Sequence, residues 1–253
     1  MKVIALGTGT SQGIPLIGCS CSVCQSKDKA DKRLRSSIYI ETKQSHLLID
    51  IGPDFRTQFI NNKLSTVDAV LITHEHNDHI MGLDDIRAIN YIHRKSIPLY
   101  TSTRVNQILR ERFKYIFSSN PYPTAPNLEL NTISDQKLTI GDIEITPINV
   151  IHGRLPILGF RLNDLAYITD ASKILESEQV KLKDLKVLII NALRIEKHPT
   201  HYNLEEALEL IKQVKPEKAY LTHISHKMGR TEEWSKLLPK NVSPLNDMME
   251  IVI

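Results

Sequence analysis

The sequence lacks any apolar run near the roughly 20 residues that span a bilayer. Its N-terminal apolar segment, residues 3–6, is too short for the core of a signal peptide. Low-complexity tracts, short repeats and internal linkers are also missing. These absences argue against a membrane protein, so we expect a single domain over residues 1–253 that works in the cytoplasm.

A strong charge imbalance is also absent, because the net charge is only +3 for 253 residues. The densest basic stretch, residues 27–35, contains interleaved aspartates and is typical of a solvated face. The chain has no long basic insertion able to hold folded RNA. We therefore expect no stable nucleic-acid partner, whereas a small phosphate-containing substrate suits this charge. The sequence does not decide between a monomer and a homodimer.

Cysteine is scarce, and all three thiols, Cys19, Cys21 and Cys24, lie within six positions. An odd, clustered set cannot form a disulfide framework, which agrees with a reducing compartment. Cys-x-Cys-x-x-Cys supplies three of the four ligands of a tetrahedral structural zinc site. We predict such a zinc, with a histidine from far along the chain as its fourth ligand. The alternative is a reduced thiol cluster without a metal.

Metal-ligand side chains are concentrated directly behind one apolar run. Residues 67–72 are predicted to form a buried strand, and His74, His76, Asp78 and His79 follow it. Side chains two apart in extended backbone point to the same side, so the first two histidines can bind one ion. The following turn directs the other two ligands to a second ion. Imidazoles with a carboxylate suit zinc, iron or manganese, whereas a solvated histidine-rich turn would not follow a buried strand.

Further predicted strands also end in ligand-type side chains, namely His152, Asp170 and His223. The pattern of a ligand on the loop after a buried strand is therefore repeated, and it is typical of a site built where a rigid scaffold meets an open cavity. Asp50 also lies at the end of a predicted strand. It can orient a metal ligand or cap the following helix, and the sequence leaves these roles open.

The remaining segments alternate between strand and helix. The glycine-rich turn at residues 7–13 lacks the Gly-Lys-Ser/Thr ending of a phosphate loop, so we expect it to let backbone approach the metal site. Helical spacing or capping residues predict helices over residues 53–61, 83–94 and 103–117. A further helix is predicted to follow residues 198–201 and to end at residue 213. Residues 127–169 are nearly all strand. We therefore predict two similar strand-rich halves with helices outside.

The order of these blocks resembles the metallo-β-lactamase-fold hydrolases. Thr-His-Glu-His-Asn-Asp-His at residues 73–79 is followed by His152, Asp170 and His223, and the resemblance covers essentially the whole chain. It implies an α/β fold, a four-layer αββα sandwich of two mixed β-sheets packed face to face with helices outside. A histidine stands where the true β-lactamases carry cysteine, which argues against antibiotic hydrolysis.

The same resemblance implies how seven ligands are shared between two divalent catalytic ions, Zn or Mn. One ion would be bound by three histidines, the other by an aspartate and two histidines, and a second aspartate would bridge both. The first ion would be bound by His74, His76 and His152. The second would be bound by Asp78, His79 and His223, and Asp170 would bridge the two.

A narrower resemblance comes from residues 7–11, Gly-Thr-Gly-Thr-Ser, together with the cysteine cluster. This opening is similar to the phosphoribosyl 1,2-cyclic phosphodiesterases of the PhnP type. In those proteins three such cysteines and a histidine three residues beyond the last catalytic histidine bind a structural zinc. The resemblance therefore implies Cys19, Cys21, Cys24 and His226 as zinc ligands. The opening also resembles the pyrroloquinoline quinone biosynthesis protein of the B type.

Two ions roughly 3.5 to 4 Å apart can share a water and lower its pKa until hydroxide exists at neutral pH. We expect this hydroxide to attack phosphorus in a small cyclic or nucleotide-like phosphate ester, with Asp78 among the catalytic residues. His201 resembles the family's additional active-site histidine, which would protonate the leaving oxygen or hold the phosphate. His198 is the rival candidate. An RNA-processing nuclease of the same fold and a non-hydrolytic cofactor-pathway protein are the alternative functions.

Overall fold

The computed structural model describes all residues from 1 to 253. Its strands are β1 (Lys2–Gly7), β2 (Ser37–Glu41), β3 (His46–Ile49), β4 (Ala69–Leu71), β5 (Ile97–Thr101), β6 (Leu128–Thr132), β7 (Leu138–Ile140), β8 (Ile143–His152), β9 (Leu155–Leu162), β10 (Leu165–Ile168), β11 (Lys173–Ile174), β12 (Val187–Asn191), β13 (Lys218–Thr222), β14 (Val242–Pro244) and β15 (Glu250–Val252). Its α-helices are α1 (Phe55–Asn61), α2 (Asn77–Ile80), α3 (Arg87–His93), α4 (Thr103–Arg112), α5 (Lys114–Phe117), α6 (Glu176–Gln179), α7 (Leu204–Val214) and α8 (Thr231–Trp234). Short 3₁₀ helices cover Lys29–Asp31, Leu83–Ile86, Val180–Leu182, His226–Met228 and Ser235–Leu237.

The strands form two mixed sheets. The first has the order β15-β1-β2-β3-β4-β5-β6, and the second has the order β11-β8-β9-β10-β12-β13-β14 with β7 paired to β8. Strands β3 to β6 are mutually parallel, as are β10, β12, β13 and β14. Because the carboxyl ends of parallel strands share one edge of a sheet, the loops that follow them converge.

The core consists of three apolar layers, because alternate residues of a strand face opposite sides of a sheet. Ile38 and Ile40 of β2 lie in a cluster of 21 buried residues between the sheets, whereas Tyr39 lies in a cluster of 20 under the helices of the first sheet. A third cluster of 21 buried residues joins the second sheet to α7 and α8. Three apolar layers separate four structural layers, so the predicted αββα sandwich is confirmed. No helix is both long enough and apolar enough to cross a membrane.

Two predicted helices differ from the structure. The helix expected over residues 103–117 is interrupted at Phe113, whose backbone leaves helical angles at φ −113° and ψ 46° while its side chain is buried in the core. Packing therefore outweighs the helix propensity of this segment. The helix expected over residues 83–94 begins as a 3₁₀ turn, which places the fully buried Leu83 and Ile86 on one side. Strands β14 and β15 were not predicted.

Candidate metal centre

The first candidate ligands follow the end of β4. The chain after β4 is extended through His74 and His76, and α2 then begins at Asn77 and carries Asp78 and His79. The α2 segment can lie close to the preceding loop because residue 52 is glycine; a Cβ atom there would lie 2.0 Å from the Asp78 carbonyl oxygen. The sequence expectation of an extended pair followed by a turn therefore matches the geometry.

Three histidines face one another at this edge. The ligand nitrogens of His74, His76 and His152 all lie within 4.8 Å of one another, and Nε2 of His74 is 3.0 Å from Nδ1 of His76. His152 donates from Nδ1 to the carbonyl oxygen of Thr200 at 2.7 Å. This bond leaves the lone pair of His152 on Nε2, the tautomer that a metal ligand needs.

A second group contains two carboxylates and two imidazoles. The ligand atoms of Asp78, His79, Asp170 and His223 lie within 4.8 Å of one another. His79 is oriented by Asp50, whose Oδ2 accepts from Nδ1 of His79 at 2.7 Å. The Asp50 carboxylate also accepts hydrogen bonds from the backbone N–H and hydroxyl of Thr73. Asp50 therefore orients His79, a candidate metal ligand, and the alternative of a helix cap is not observed.

The backbone at these strand ends is unusual. Asp50, Asp170 and His223 have φ values of 64°, 60° and 54°, in the left-handed region that favours glycine. Each of them follows the end of a strand, β3, β10 or β13 respectively. Such conformations persist where the surrounding structure fixes them, and they cluster at functional sites.

The charges at this edge favour a bound cation. Burial by itself lowers the pKa of His79, but the carboxylates of Asp78, Asp50 and Asp170 outweigh it and raise that pKa well above its usual value. Burial raises the pKa of Asp170, but His223 and His79 outweigh it and bring that pKa well below its usual value. Burial lowers the pKa of His223 to about 4, so its imidazole is neutral at pH 7.

One buried atom tests whether divalent ions fit these residues. Nε2 of His79 is buried and makes no hydrogen bond, although Asp78 Oδ2 lies at 3.0 Å and Asp170 Oδ2 at 3.3 Å. A buried nitrogen that faces two carboxylate oxygens without bonding them suits a cation shared among the three. Asp170 joins the two groups, because its carboxylate also clusters with His152 and His201. The residues present therefore fit two divalent ions.

The two rival histidines occupy different places. Nε2 of His201 lies 3.1 Å from Oδ1 of Asp170, within the centre. His198 is behind it, with its Nδ1 3.2 Å from Nδ1 of His201, and it accepts a hydrogen bond from the backbone N–H of Thr200. Of the two, His201 is the one next to the ligands.

The three thiols and His226 form a separate group. Nδ1 of His226 lies 3.4 Å from the sulfur atoms of Cys19 and Cys21 and 3.6 Å from that of Cys24. Zinc bonds of roughly 2.3 Å to sulfur and 2.0 Å to nitrogen give a tetrahedral edge of about 3.6 Å. The group therefore has the dimensions of a zinc site, with the histidine ligand that the sequence predicts from far along the chain.

Some residues that contact the centre were not predicted from the sequence. The hydroxyls of Ser36 and Thr169 lie 3.2 and 3.3 Å from Nδ1 of His223. Arg104 pairs with Glu75, the residue between two ligands. These residues are remote in sequence from their partners and follow no motif. Only Thr169, directly before Asp170, could have been found from its position.

Comparison with known proteins identifies the family of this chain. Residues 45–224 match the sequence model of the β-lactamase superfamily domain. The chain belongs to the β-lactamase superfamily. A crystal structure described as a new diphosphatase from the PhnP family is 35% identical, has a TM-score of 0.93, and is aligned over 100% of this chain and 97% of that one. The predicted resemblance to the metallo-β-lactamase fold and to the PhnP type is confirmed.

Two curated relatives are longer than this chain. A Porphyromonas gingivalis protein named octanoyltransferase is 40% identical over 256 residues, which cover 100% of this chain and 52% of that protein. Coenzyme PQQ synthesis protein B of Xanthomonas campestris is 29% identical over 171 residues, which cover 62% of this chain and 54% of that protein. The chain therefore spans about half the length of these curated relatives. Together, the comparisons support a metal-dependent hydrolase as the general class.

Proposed function

We propose that this protein hydrolyses a phosphodiester in a small cyclic or nucleotide-like molecule, with two divalent ions, Zn or Mn, at the centre. The observation that carries the proposal is the position of Asp170, whose Oδ2 lies 3.3 Å from Nε2 of His79, whose Oδ1 lies 3.3 Å from Nε2 of His223, and whose carboxylate also clusters with His152. A carboxylate shared in this way is the arrangement of two-metal hydrolases.

The residues of the chain have distinct tasks in this reaction. Bound divalent ions would lower the pKa of a water and neutralise charge on the phosphoryl oxygens. Asp50 and the Thr200 carbonyl hold His79 and His152 in fixed tautomers. His201 carries the proton that the leaving oxygen takes from Nε2 as the phosphorus–oxygen bond breaks. His198 contacts the opposite nitrogen of His201 and does not reach the carboxylates of the centre.

The thiolate group has a structural task in this proposal. Cys19, Cys21, Cys24 and His226 would bind one zinc that ties the loop after β1 to the segment after β13. The group is separate from the two ligand sets of the centre. Closing a loop of about 200 residues would stabilise the fold without supplying chemistry.

A phosphoanhydride is the second candidate substrate. The similarity to a protein described as a diphosphatase extends over the whole chain at 35% identity. Attack on phosphorus and departure of a phosphate oxygen would use the same ligands and the same His201 proton. We favour the phosphodiester because an alkoxide leaving group gives His201 a definite role, whereas a phosphate leaving group needs less protonation.

A substrate panel tests the proposal. Protein loaded with Zn or Mn should be assayed against bis(p-nitrophenyl) phosphate, a cyclic nucleotide, a pentose cyclic phosphate, a nucleoside diphosphate, an octanoyl thioester and a β-lactam. We expect turnover of the phosphodiesters, with His201→Ala lowering kcat by about 10² or more. Turnover of the diphosphate alone would support the second candidate. Activity only on the thioester or the β-lactam would refute both.

A further inference from the structure

Two buried hydroxyls face Nδ1 of His223. Oγ of Ser36 lies at 3.2 Å and Oγ1 of Thr169 at 3.3 Å, and all three side chains are at most 2% exposed. Water therefore has little access to this nitrogen, and the two hydroxyls are its hydrogen-bonding partners. The direction of these bonds decides which ring nitrogen of His223 carries the hydrogen.

Both hydroxyls have an acceptor for their own hydrogen. Ser36 donates to the carbonyl oxygen of Gly9 at 2.9 Å. Thr169 donates to Oδ2 of Asp170 at 2.5 Å. Because a hydroxyl has a single hydrogen, each of them offers a lone pair to His223. Nδ1 of His223 is then the donor, since a bare nitrogen there would make no hydrogen bond. The lone pair of the ring lies on Nε2, which is 3.3 Å from Oδ1 of Asp170.

Ser36 is itself held by the glycine-rich turn after β1. The carbonyl oxygen of Gly9 accepts both the backbone N–H of Ser36, at 3.1 Å, and its hydroxyl. Gly9 also forms a parallel bridge with Ile224, the residue after His223. A Cβ atom at residue 9 would lie 2.9 Å from Cβ of Arg33, so glycine permits this close approach. The turn that lacks the phosphate-loop signature therefore places Ser36 beside His223.

We propose that Ser36 is a positioning residue, whose hydroxyl accepts the Nδ1 hydrogen of His223 and so keeps Nε2 available to the second catalytic ion. Ser36 thus has the part for His223 that Asp50 has for His79. Groups that orient a metal ligand in this way fix its tautomer and the direction of its ring. The inference rests on the two-ion centre of the proposed function and is independent of the substrate.

Nuclear magnetic resonance of the metal-free protein locates the hydrogen. Proton–nitrogen correlation spectra of isotope-labelled histidine at pH 8 distinguish the two neutral tautomers, and the signals of His223 are those missing from His223→Ala. Wild type should show hydrogen on Nδ1. Ser36→Ala should raise the share of the form with hydrogen on Nε2, because Nδ1–H loses an acceptor while Nε2–H can donate to Asp170. A wild-type ring with hydrogen on Nε2, and Ser36 donating to Nδ1, would overturn the inference.

Zinc titration, with the thiolate group already loaded, measures the consequence for binding. Ser36→Ala should weaken the second catalytic ion about tenfold, the lower end of the usual range, because Thr169 remains as an acceptor. Ser45→Ala is the matched control, since Ser45 is equally buried and donates to a carbonyl oxygen, but lies at the far end of the β2–β3 hairpin. It should change neither the tautomer nor the zinc affinity.

The two readouts have to change together in Ser36→Ala. If either the tautomer share or the zinc affinity stayed at its wild-type value, the inference would be overturned. Thermal melting of both alanine variants reports on the loss of a buried hydroxyl as such. If wild-type protein bound only the thiolate zinc, the proposed function itself would fail, and the metal-free spectrum would still test the bond between Ser36 and His223 on its own.

Discussion

The two metal-ligand groups of this protein differ in what holds them. In the centre, His74, His79, Asp170 and His223 are at most 2% exposed and lie in the loops, or in helix α2, that follow strands of both sheets. In the thiolate group, Cys19 and Cys21 are half-buried in a loop without regular structure. The buried strand ends and α2 therefore hold the side chains of the first group in place, whereas the second group lies in a loop that a bound zinc would tie to the segment after β13. Loss of a centre ligand should affect turnover, and loss of a thiol should affect stability.

The two groups are nevertheless joined by one short segment. Ile224, between His223 and His226, exchanges backbone hydrogen bonds with Thr8 and Thr10. The hydroxyl of Thr10 lies 3.4 Å from Nε2 of His223. The loop after β1 thus touches a centre ligand and also leads into the thiols.

The largest effect is expected from Asp78→Ala. This change removes a carboxylate of the centre whose side chain is 11% exposed and belongs to none of the apolar clusters. One catalytic ion should be lost and kcat/KM should fall on the order of 10³, with the melting temperature nearly unchanged. Asp84→Ala, at a more exposed aspartate on the next turn, is the control. Two retained catalytic ions with undiminished turnover would contradict the assignment.

A smaller effect on the same centre is expected from Asp50→Asn. The amide keeps the shape of the carboxylate but presents an N–H group or a weaker acceptor to Nδ1 of His79. Metal affinity or kcat should fall about 10- to 100-fold, the usual cost of losing a group that orients a ligand. Metal titration measures this change. Asp54→Asn, which alters an ion pair with Arg35 instead, should titrate like wild type.

The thiolate group should respond in the opposite way. Cys21→Ala should lose one zinc per chain and lower the melting temperature by about 5 °C or more, because zinc binding contributes to folding free energy. The protein should still fold, because its large core makes it less dependent on zinc than a small zinc finger. The two catalytic ions should stay bound and turnover should change little. Ser22→Ala, exposed in the same loop, is the control. A loss of both catalytic ions in Cys21→Ala would remove the distinction between the groups.

A final effect, which leaves metal binding and turnover unchanged, concerns pH and the loop after β1. Burial raises the pKa of Asp247 to about 6, and its carboxylate accepts from the hydroxyl of Thr8 and the backbone N–H of Leu34. Between pH of about 4 and 6 the folded protein keeps a proton that the unfolded chain has lost. Stability should therefore fall as pH rises through this window, by about 3 kcal/mol.

Asp247→Asn should remove that slope. Urea unfolding from pH 4 to 7 measures the difference between wild type and variant, in which the effects of the metal ligands cancel. Equal slopes in the two proteins would show that Asp247 does not titrate in this window.

The strands and the ligand-type residues at their ends could be predicted from local patterns, whereas the αββα sandwich was implied by the resemblance of the ordered ligand blocks to the metallo-β-lactamase fold. Apolar alternation marks the strands, and ligand-type residues stand out where a strand stops. The supporting contacts could not be predicted in this way. His152 bonds Thr200, 48 residues later, and Arg33 bonds Leu245, 212 residues later. Such pairs depend on how the sheets pack, and no spacing in the chain encodes them.

The most direct measurement is the metal content of His223→Ala and His226→Ala, taken with turnover and melting temperature. These histidines lie three residues apart but belong to different groups. Wild type should bind three divalent ions per chain. His226→Ala should bind two, melt at a lower temperature and keep turnover, whereas His223→Ala should lose turnover and keep the thiolate zinc. A full ion count in His226→Ala with an empty thiolate site in His223→Ala would contradict the account.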